Sequence, residues 1–450
     1  MMKFPVKELN SNFCKHIFRN FSSALYITGD KAQKNFAVLI PHIDFEERIQ
    51  NKGELLNNIK VRKLDLDLNN IEKTWKFYKN LLQRKIILDQ TRIEIGKEIA
   101  NLTSNINVEA NQEKKLKMHA RIIKDDLKTM KEYLYSIEED AAIKALSLPN
   151  ILHKKTPISD HEVLHQFLEK PTEKSENHLS IAEKNDLIEF YDPLYYFFKH
   201  KCATFEMKIL DYFREYMLKN LFTYFSNPDF ARSIVVEGCG GDFNNPNESF
   251  ILESSEDTFV SELNRLHLVG GASLCSFMAY FTRHLIQIGY FPLKYFTCGR
   301  KYQPPIQAEA SLFTTGQETA IELFVATTDC LEQEDHEIEN IIRILRCLYD
   351  SLGFHYQLIA VPAHKLKNYE CMRISVQMLS CSLQEYVEVA HLSVCDNYLS
   401  KRLLCTYIEE KKRKFPRILS GTILSIQKLL GCVIEYNSIN KRDLLWHKNI

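Results

Sequence analysis

No run of 18 consecutive apolar residues occurs in this 450-residue chain, which argues against a membrane-spanning helix and membrane insertion. Its twelve cysteines, scattered from Cys14 to Cys432, form no Cys-x-x-Cys pair. Neither a zinc knuckle nor a disulfide framework is indicated, and a reducing compartment is the simplest reading. No Gly-x-Gly-x-x-Gly or phosphate-loop motif opens a helix, so Rossmann or Walker nucleotide binding has no support. Formal net charge is also zero, with 58 basic and 58 acidic residues, so any nucleic-acid contact has to come from a local patch. Neither a metal nor a cofactor is expected.

What is present is ordinary for a globular protein: 45% apolar and 26% charged residues, over a length sufficient for two or three domains with a sizeable core. The first 25 residues differ. They carry Lys3, Lys7, Lys15 and Arg19 against one acid, Glu8, with Phe4, Phe13, Phe18 and Phe21 interleaved, the composition of a mitochondrial presequence. Residues 1–25 are therefore expected to direct the chain to the mitochondrial matrix, with cleavage somewhere near Ser22 to Tyr26. Cys239, inside Val-Glu-Gly-Cys-Gly-Gly, has the neighbours of a loop nucleophile, but glycines beside a buried thiol ordinarily mark only a turn.

From Leu116 apolar residues recur at alternating steps of four and three through Ala120, Ile123, Leu127, Met130, Leu134 and Ile137 to Ala141, a heptad seam. Upstream, Ile71, Trp75, Tyr78, Leu82, Ile86, Ile93, Ile95, Ile99 and Leu102 face one way at looser spacing, and the polar stretch Thr103–Asn107 suits a turn. Two helices that cannot each bury a stripe alone should fold back on one another. Residues 26–150 are thus expected to form an antiparallel coiled-coil arm, on the order of 45 Å long. Residues 71 to 134 hold 14 lysines and arginines against 9 acids. Lys114, Lys115, Lys117, Arg121, Lys124 and Lys128 are the candidate nucleic-acid contacts, because a positive arm can follow a phosphate backbone. A charge run on a coiled coil is more ordinarily its solvated face.

Residues 151–190, with Pro157, Pro171 and many polar residues, read as a connector with little regular structure. Residues 191–450 alternate helical patterns with short β-rich runs such as Ser233–Val236 and Glu322–Ala326, in no regular βαβ rhythm. The fold class expected is α+β, with an antiparallel sheet flanked by helices beyond the helical arm.

This plan of basic extension, helical arm and mixed domain resembles that of a mitochondrial seryl-tRNA synthetase, a class II aminoacyl-tRNA synthetase. Leu148-Pro149-Asn150-Ile151-Leu152-His153 resembles the turn by which that family leaves its arm. Phe222 to Gly240, with Pro228 at the proline of the family's first motif, is similar to the segment that lies at the dimer interface in class II enzymes. Gly316 to Phe324 and Tyr386-Val387-Glu388-Val389-Ala390 extend the resemblance over nearly the whole chain beyond the presequence.

The departures bear on function. Where the resemblance implies a Thr-x-Glu motif holding the serine ammonium, this chain has Gly271 and Ser273, so the carboxylate is gone. In the second motif two alignments remain open: Gln303 replaces the phosphate-binding arginine and Pro305 the glutamate, or Arg300 is the arginine and Tyr302 replaces the glutamate. Ala320 stands at a family lysine, while Gln317 and Glu322 are kept. Leu399 stands at a glutamine, and Gln427 at the third-motif arginine that binds the γ-phosphate.

Each lost charged hydrogen bond is worth about 1.5 to 3 kcal/mol, and one lost transition-state donor costs on the order of 10² to 10³ in rate. Together the losses predict no serine activation, hence a non-catalytic paralogue that acts by binding. The partners expected are the active mitochondrial seryl-tRNA synthetase, through the segment around Pro228, or a second copy of the chain. The alternatives are a regulator that grips transfer RNA or other mitochondrial nucleic acid through the arm, and a divergent active serine ligase.

Overall fold

The computed structural model describes residues 23–29, 32, 38–103, 110–252, 263–305 and 310–445. The expected presequence up to residue 22, and the expected turn from residue 104 onward, lie outside them. The chain divides into two compact units, Met1–Lys34 with Leu66–Leu148, and Asn35–Asp65 with Pro149–Ile450. The segment carrying α1 (Phe45–Gln50) and α2 (Lys52–Val61) therefore belongs to the larger unit rather than to the arm over 26–150. Arg62, 3% exposed, explains why: its guanidinium donates to the backbone carbonyls of Asn150, Lys367 and Glu370, tying the segment to the body at three points, and to Asn58 Oδ1 within the segment itself.

The smaller unit is a pair of long helices, α3 (Leu68–Thr103) and α4 (Ala110–Leu146), packed along their length. The α4 seam is realised, with Leu134 and Ala141 buried and Leu116, Ala120, Ile123, Leu127, Met130 and Ile137 half-buried. The α3 seam departs from the expected set. Ile86 and Ile93 are 42% and 53% exposed, because the heptad step of three from Leu82 lands on Lys85, whose side chain is half-buried instead. Ser23 to Ile27 are buried, and the Tyr26 hydroxyl donates to Glu138 on α4 at 3.0 Å. This part of the stretch expected to hold a cleavage point is built into the fold.

In the larger unit, residues 151–190 are not a loose connector. They contain β1 (Glu162–Phe167), α5 (His178–Lys184) and β2 (Ile188–Phe190), followed by β3 (Tyr196–Phe198) and α6 (His200–Lys219). His178 is fully buried; its Nδ1 meets Glu435 at 2.7 Å and its Nε2 accepts from the Leu312 backbone, anchoring α5. Next come β4 (Thr223–Tyr224), β5 (Phe230–Arg232), α7 (Ser233–Gly238), β6 (Phe250–Leu252), β7 (Leu266–Leu268), α8 (Leu274–Phe281), β8 (Leu285–Ile286), β9 (Leu293–Tyr302) and β10 (Gln317–Thr327). The chain ends with α9 (Leu331–Leu352), β11 (Tyr356–Ala360), β12 (Met372–Ser380), β13 (Glu385–Asp396), α10 (Tyr398–Leu403), β14 (Thr406–Glu409), β15 (Lys412–Lys414), β16 (Arg417–Ser425) and α11 (Ile426–Ile439).

Glu322–Ala326 lies in β10 as expected, whereas Ser233–Val236 is the helix α7. A four-residue apolar run is ambiguous in period. Here the residues are buried on all sides, and Gly238 at the helix end lets Leu403 approach so closely that a Cβ would lie 2.3 Å from its Cδ2.

Eight strands form one sheet in the order β1-β11-β12-β13-β16-β10-β9-β4, antiparallel except for the short β4–β9 pair. Smaller sheets hold β5-β7-β6 and β15-β14-β8. One face of the large sheet packs against α6, α9 and α11; Ile341, Leu345 and Leu348 of α9 and Leu429, Leu430 and Val433 of α11 are almost wholly buried against Ile321, Leu323 and Val376. On the opposite face, Phe277 and Phe281 of α8 stack on Phe324. Glu318, Glu322, Arg373 and Thr422 make much of the remainder of that second face polar.

Candidate functional site

Period-two alternation places Thr297, Gly299 and Lys301 of β9 on the face shared with Glu318, Ala320 and Glu322 of β10, since the register pairs these residues directly. Lys301 Nζ lies 2.8 Å from the Thr422 hydroxyl and 3.5 Å from Glu322, and Thr422 donates in turn to Glu322 at 2.7 Å. Burial opposes the charge on Lys301, but Glu322 and then Glu318 outweigh it and hold its pKa above the usual value. Ala320 adds no cation to this face; Lys301, from the neighbouring strand, supplies one.

Further along the sheet, Arg373 of β12 lies between Glu370, 3.0 Å away, and Glu388, which it also contacts directly. Ser375 donates to Glu388 at 2.7 Å, and His391 is 3.4 Å from the same carboxylate. Burial would raise the Glu388 pKa, yet Arg373 and then His391 hold it well below the carboxylate range. Glu318 receives Ser425 at 2.6 Å, and Lys428 is 3.6 Å away. The charges on this face thus answer one another within the protein.

The residues singled out by sequence fall around this face in different ways. Gly270 has φ +88, and a Cβ there would lie 2.1 Å from the Arg300 carbonyl, so only glycine lets this loop close on β9. Gly271 donates its N–H to Asp229 at 2.7 Å and accepts from Asn227. Ser273, 7% exposed, is the N-cap of α8: it accepts from the Ser276 N–H and donates to the Gly270 carbonyl. Its hydroxyl faces the protein.

Ala320 and Leu399 are fully buried, whereas Gln303 and Pro305 are exposed at the start of the β9–β10 connection. Arg300 points by alternation to the face opposite Lys301. There its charge bears on Tyr196, whose hydroxyl is pushed up by burial and pulled down by Arg300. Gln427, at the start of α11, is fully buried, and its side-chain carbonyl accepts the Thr319 backbone N–H at 2.8 Å. Of the retained residues, Gln317 donates to the Leu194 carbonyl, while Glu322 and Glu388 are paired as described.

Lys301, Glu370 and Arg373 were not legible as site residues. Lys301 stood in the sequence beside the more conspicuous Arg300, and only the β9–β10 register separates the two faces. Pro228 is exposed on the loop between β4 and β5, and its carbonyl accepts from Ser276. On α4, Lys114, Lys115, Lys117, Arg121, Lys124 and Lys128 are all exposed, and Lys114, Lys117, Arg121, Lys124 and Lys128 recur at steps of three and four, forming one stripe. Among the described residues no cluster of three or more His, Cys, Asp or Glu could hold a metal ion, and no helix is long and apolar enough to cross a membrane.

An antiparallel sheet of this order, backed by helices on one face and bearing a polar centre on the other, is the core of a class II aminoacyl-tRNA synthetase; residues 258–437 match the model of the tRNA synthetase class II core domain (G, H, P, S and T). Among solved structures, the fold is similar to that of a seryl-tRNA synthetase from Pyrococcus horikoshii complexed with ATP, with a TM-score of 0.75 and 16% identity, covering 87% of this chain and 93% of that one. It is likewise similar to the cytoplasmic enzyme of Naegleria fowleri in complex with AMP, with a TM-score of 0.72 and 16% identity, covering 87% and 92%. In sequence, the chain is 30% identical over 425 residues to the Drosophila melanogaster serine–tRNA synthetase-like protein Slimp, spanning 92% of this chain and 89% of that protein. It is 23% identical to the mitochondrial serine–tRNA ligase of Bos taurus over 90% and 81%. The chain belongs to the seryl-tRNA synthetase-like family.

Proposed function

We propose that this chain is a non-catalytic, mitochondrial member of its family that acts by binding, as a partner of the active mitochondrial seryl-tRNA synthetase or of a second copy of itself. The observation that carries the reading is the internal pairing of the polar face. Ser273, where the resemblance implies an ammonium-binding carboxylate, caps a helix, and Gln427, where it implies a phosphate-binding arginine, accepts a backbone N–H. A serine ammonium or a nucleotide phosphate entering here would meet neither an unpaired carboxylate at Ser273 nor a cation at Gln427.

Partner binding is supported by the surface around Pro228. Leu221, Tyr224, Phe230, Leu266 and Tyr280 are 83%, 47%, 47%, 42% and 52% exposed, more apolar area than scattered surface residues account for. A cavity of about 380 Å³ opens beside Phe230 and Leu266. The mitochondrial assignment rests on the basic N-terminal composition and on the mitochondrial ligases among the relatives.

Co-expression with the mitochondrial seryl-tRNA synthetase followed by size exclusion tests the proposal, alongside serine-dependent ATP–pyrophosphate exchange. A co-eluting heterodimer, or a homodimer of this chain, without exchange activity supports it. Exchange above background, or a monomer that ignores the active enzyme, overturns it.

The stripe on α4 favours a second reading, in which the arm holds transfer RNA or another mitochondrial nucleic acid. Its affinity would fall steeply with salt, and reversing Lys114, Lys117 and Arg121 would flatten that slope.

A further inference from the structure

The small sheet β5-β7-β6 ends on β5, and among the described residues no strand other than β7 pairs with it. Its ladder can be followed beyond both ends of the strand. Val269 donates its N–H to the Asp229 carbonyl at 2.9 Å, and Ser233 donates to the Arg265 carbonyl at 3.0 Å. In an antiparallel pair, directly opposed residues exchange hydrogen bonds only at every second position. Asp229, Ala231 and Ser233 therefore direct their backbone groups at β7, and those of Phe230 and Arg232 point the other way, to the open edge. Neither of these two residues has a backbone partner outside the ladder among the described residues.

The cavity of about 380 Å³ lies against this strand. Phe230, Ala231 and Arg232 line it, with Leu39 from the segment ahead of α1, Ala279 of α8 and Arg283 just beyond α8. Its lining holds two cations and no acid. Neither Arg232 nor Arg283 is in an ion pair among the described residues; the Arg283 guanidinium reaches the Val38 carbonyl at 3.5 Å. The geometry points to β5 as the docking edge for an extended acidic peptide of a partner protein, which adds as a strand beside Phe230 and Arg232, with an apolar side chain in the cavity and a carboxylate against Arg232 and Arg283.

An extended chain answers every group in place. The edge offers two N–H donors and two carbonyl acceptors at strand spacing, which a partner strand meets in one register while alternate side chains enter pockets. An ionised fatty acid would fill the cavity and satisfy the guanidinium groups, yet it has no donor for the Phe230 and Arg232 carbonyls. Charge then selects among peptides: Arg232 and Arg283 attract an acidic strand and repel a basic one. The proposal stands on the strand edge and does not depend on the synthetase partner proposed above, which is read by particle size and not by peptide affinity.

Fluorescence anisotropy of the full chain with a labelled, end-blocked hexapeptide alternating glutamate and leucine tests it, against the same peptide with lysine in place of glutamate. Saturable binding of the acidic peptide, weakened by salt and much tighter than that of the basic one, is expected. Arg232→Pro removes the outward N–H and the charge while sparing the ladder, since Arg232 has φ −84, near the range of proline. Arg232→Gln with Arg283→Gln keeps the edge and removes both charges. Affinity for the acidic peptide should fall about tenfold or more in either variant, and the glutamine pair should no longer discriminate the two peptides. Absence of saturable binding, equal affinity for the two peptides, or wild-type affinity in Arg232→Pro overturns the proposal. So does a dimer of this chain that Arg232→Pro converts to monomer, which would assign the edge to a second copy. The wild-type comparison of the two peptides decides this even where the proline variant folds poorly.

Discussion

Gln427 and Thr319 are joined by a hydrogen bond of 2.8 Å from the Thr319 backbone to the Gln427 side-chain carbonyl. The bond ties the first turn of α11 to the start of β10, in a position where the glutamine has no exposure to solvent. A side chain at the third-motif position therefore serves the packing of this protein. Restoring an arginine there would bury a guanidinium and orphan the Thr319 N–H. Gln427→Arg is expected to lower stability by about 3 kcal/mol, and, combined with Ser273→Glu, to give no serine-dependent exchange. Denaturant unfolding and the exchange assay check the two parts; a stable, active double variant would contradict the internally paired site.

Lys301 answers Glu322, which is 4% exposed in its side chain, across the β9–β10 pair. Removing the lysine alone leaves a buried carboxylate with only Thr422 and Ser420 for partners. Lys301→Met is expected to cost about 3 kcal/mol, and the double variant with Glu322→Gln to recover most of it. Additive losses in a double-mutant cycle would show that the two residues are not coupled.

Arg62 is the rivet of the α1–α2 segment. Burial brings its pKa down to about 10, yet each of its contacts is with a carbonyl oxygen. Arg62→Ala should destabilise the larger unit by about 3 kcal/mol or more, with Arg62→Lys only partly rescuing, because an ammonium cannot reproduce the planar fork. Thermal unfolding and proteolysis between residues 35 and 65 are the readouts; unchanged protection would show that the segment is held by other means.

Glu334 supplies a pH dependence. Arg417 is shared by Asp329, Glu334 and Asp396 at 3.1, 2.9 and 2.9 Å, and Glu334 is 2% exposed. Burial, followed by Asp396, pushes its carboxyl up to about 7, against the partial relief from Arg417. A pKa raised on folding means that the native state binds the proton more tightly. Its contribution is complete below about 4.5, the ordinary value, and is lost as pH rises toward 7 and beyond. Glu334→Gln should flatten the fall in stability across that window, measured by unfolding at several pH values. A variant with the wild-type slope would assign the dependence elsewhere.

The sequence by itself determined what local period and residue identity can carry. The three-and-four spacing from Leu116 to Ala141 wrote the α4 seam, because a helix face is fixed by neighbours within one turn. Identity alone removed charge at Ser273, Ala320 and Gln427. Tertiary structure decided what depends on segments distant along the chain. Ser233–Val236 became a helix because it is enclosed on all sides, and β1 and α5 arose in a polar stretch because β11 and Glu435 were there to receive them. Strand register, which no periodicity states, put Lys301 rather than Arg300 on the face of Glu322. Docking of α11 on the sheet brought Gln427 to Thr319, since a contact between residues distant along the chain is set by how their elements dock and not by the local order of residues.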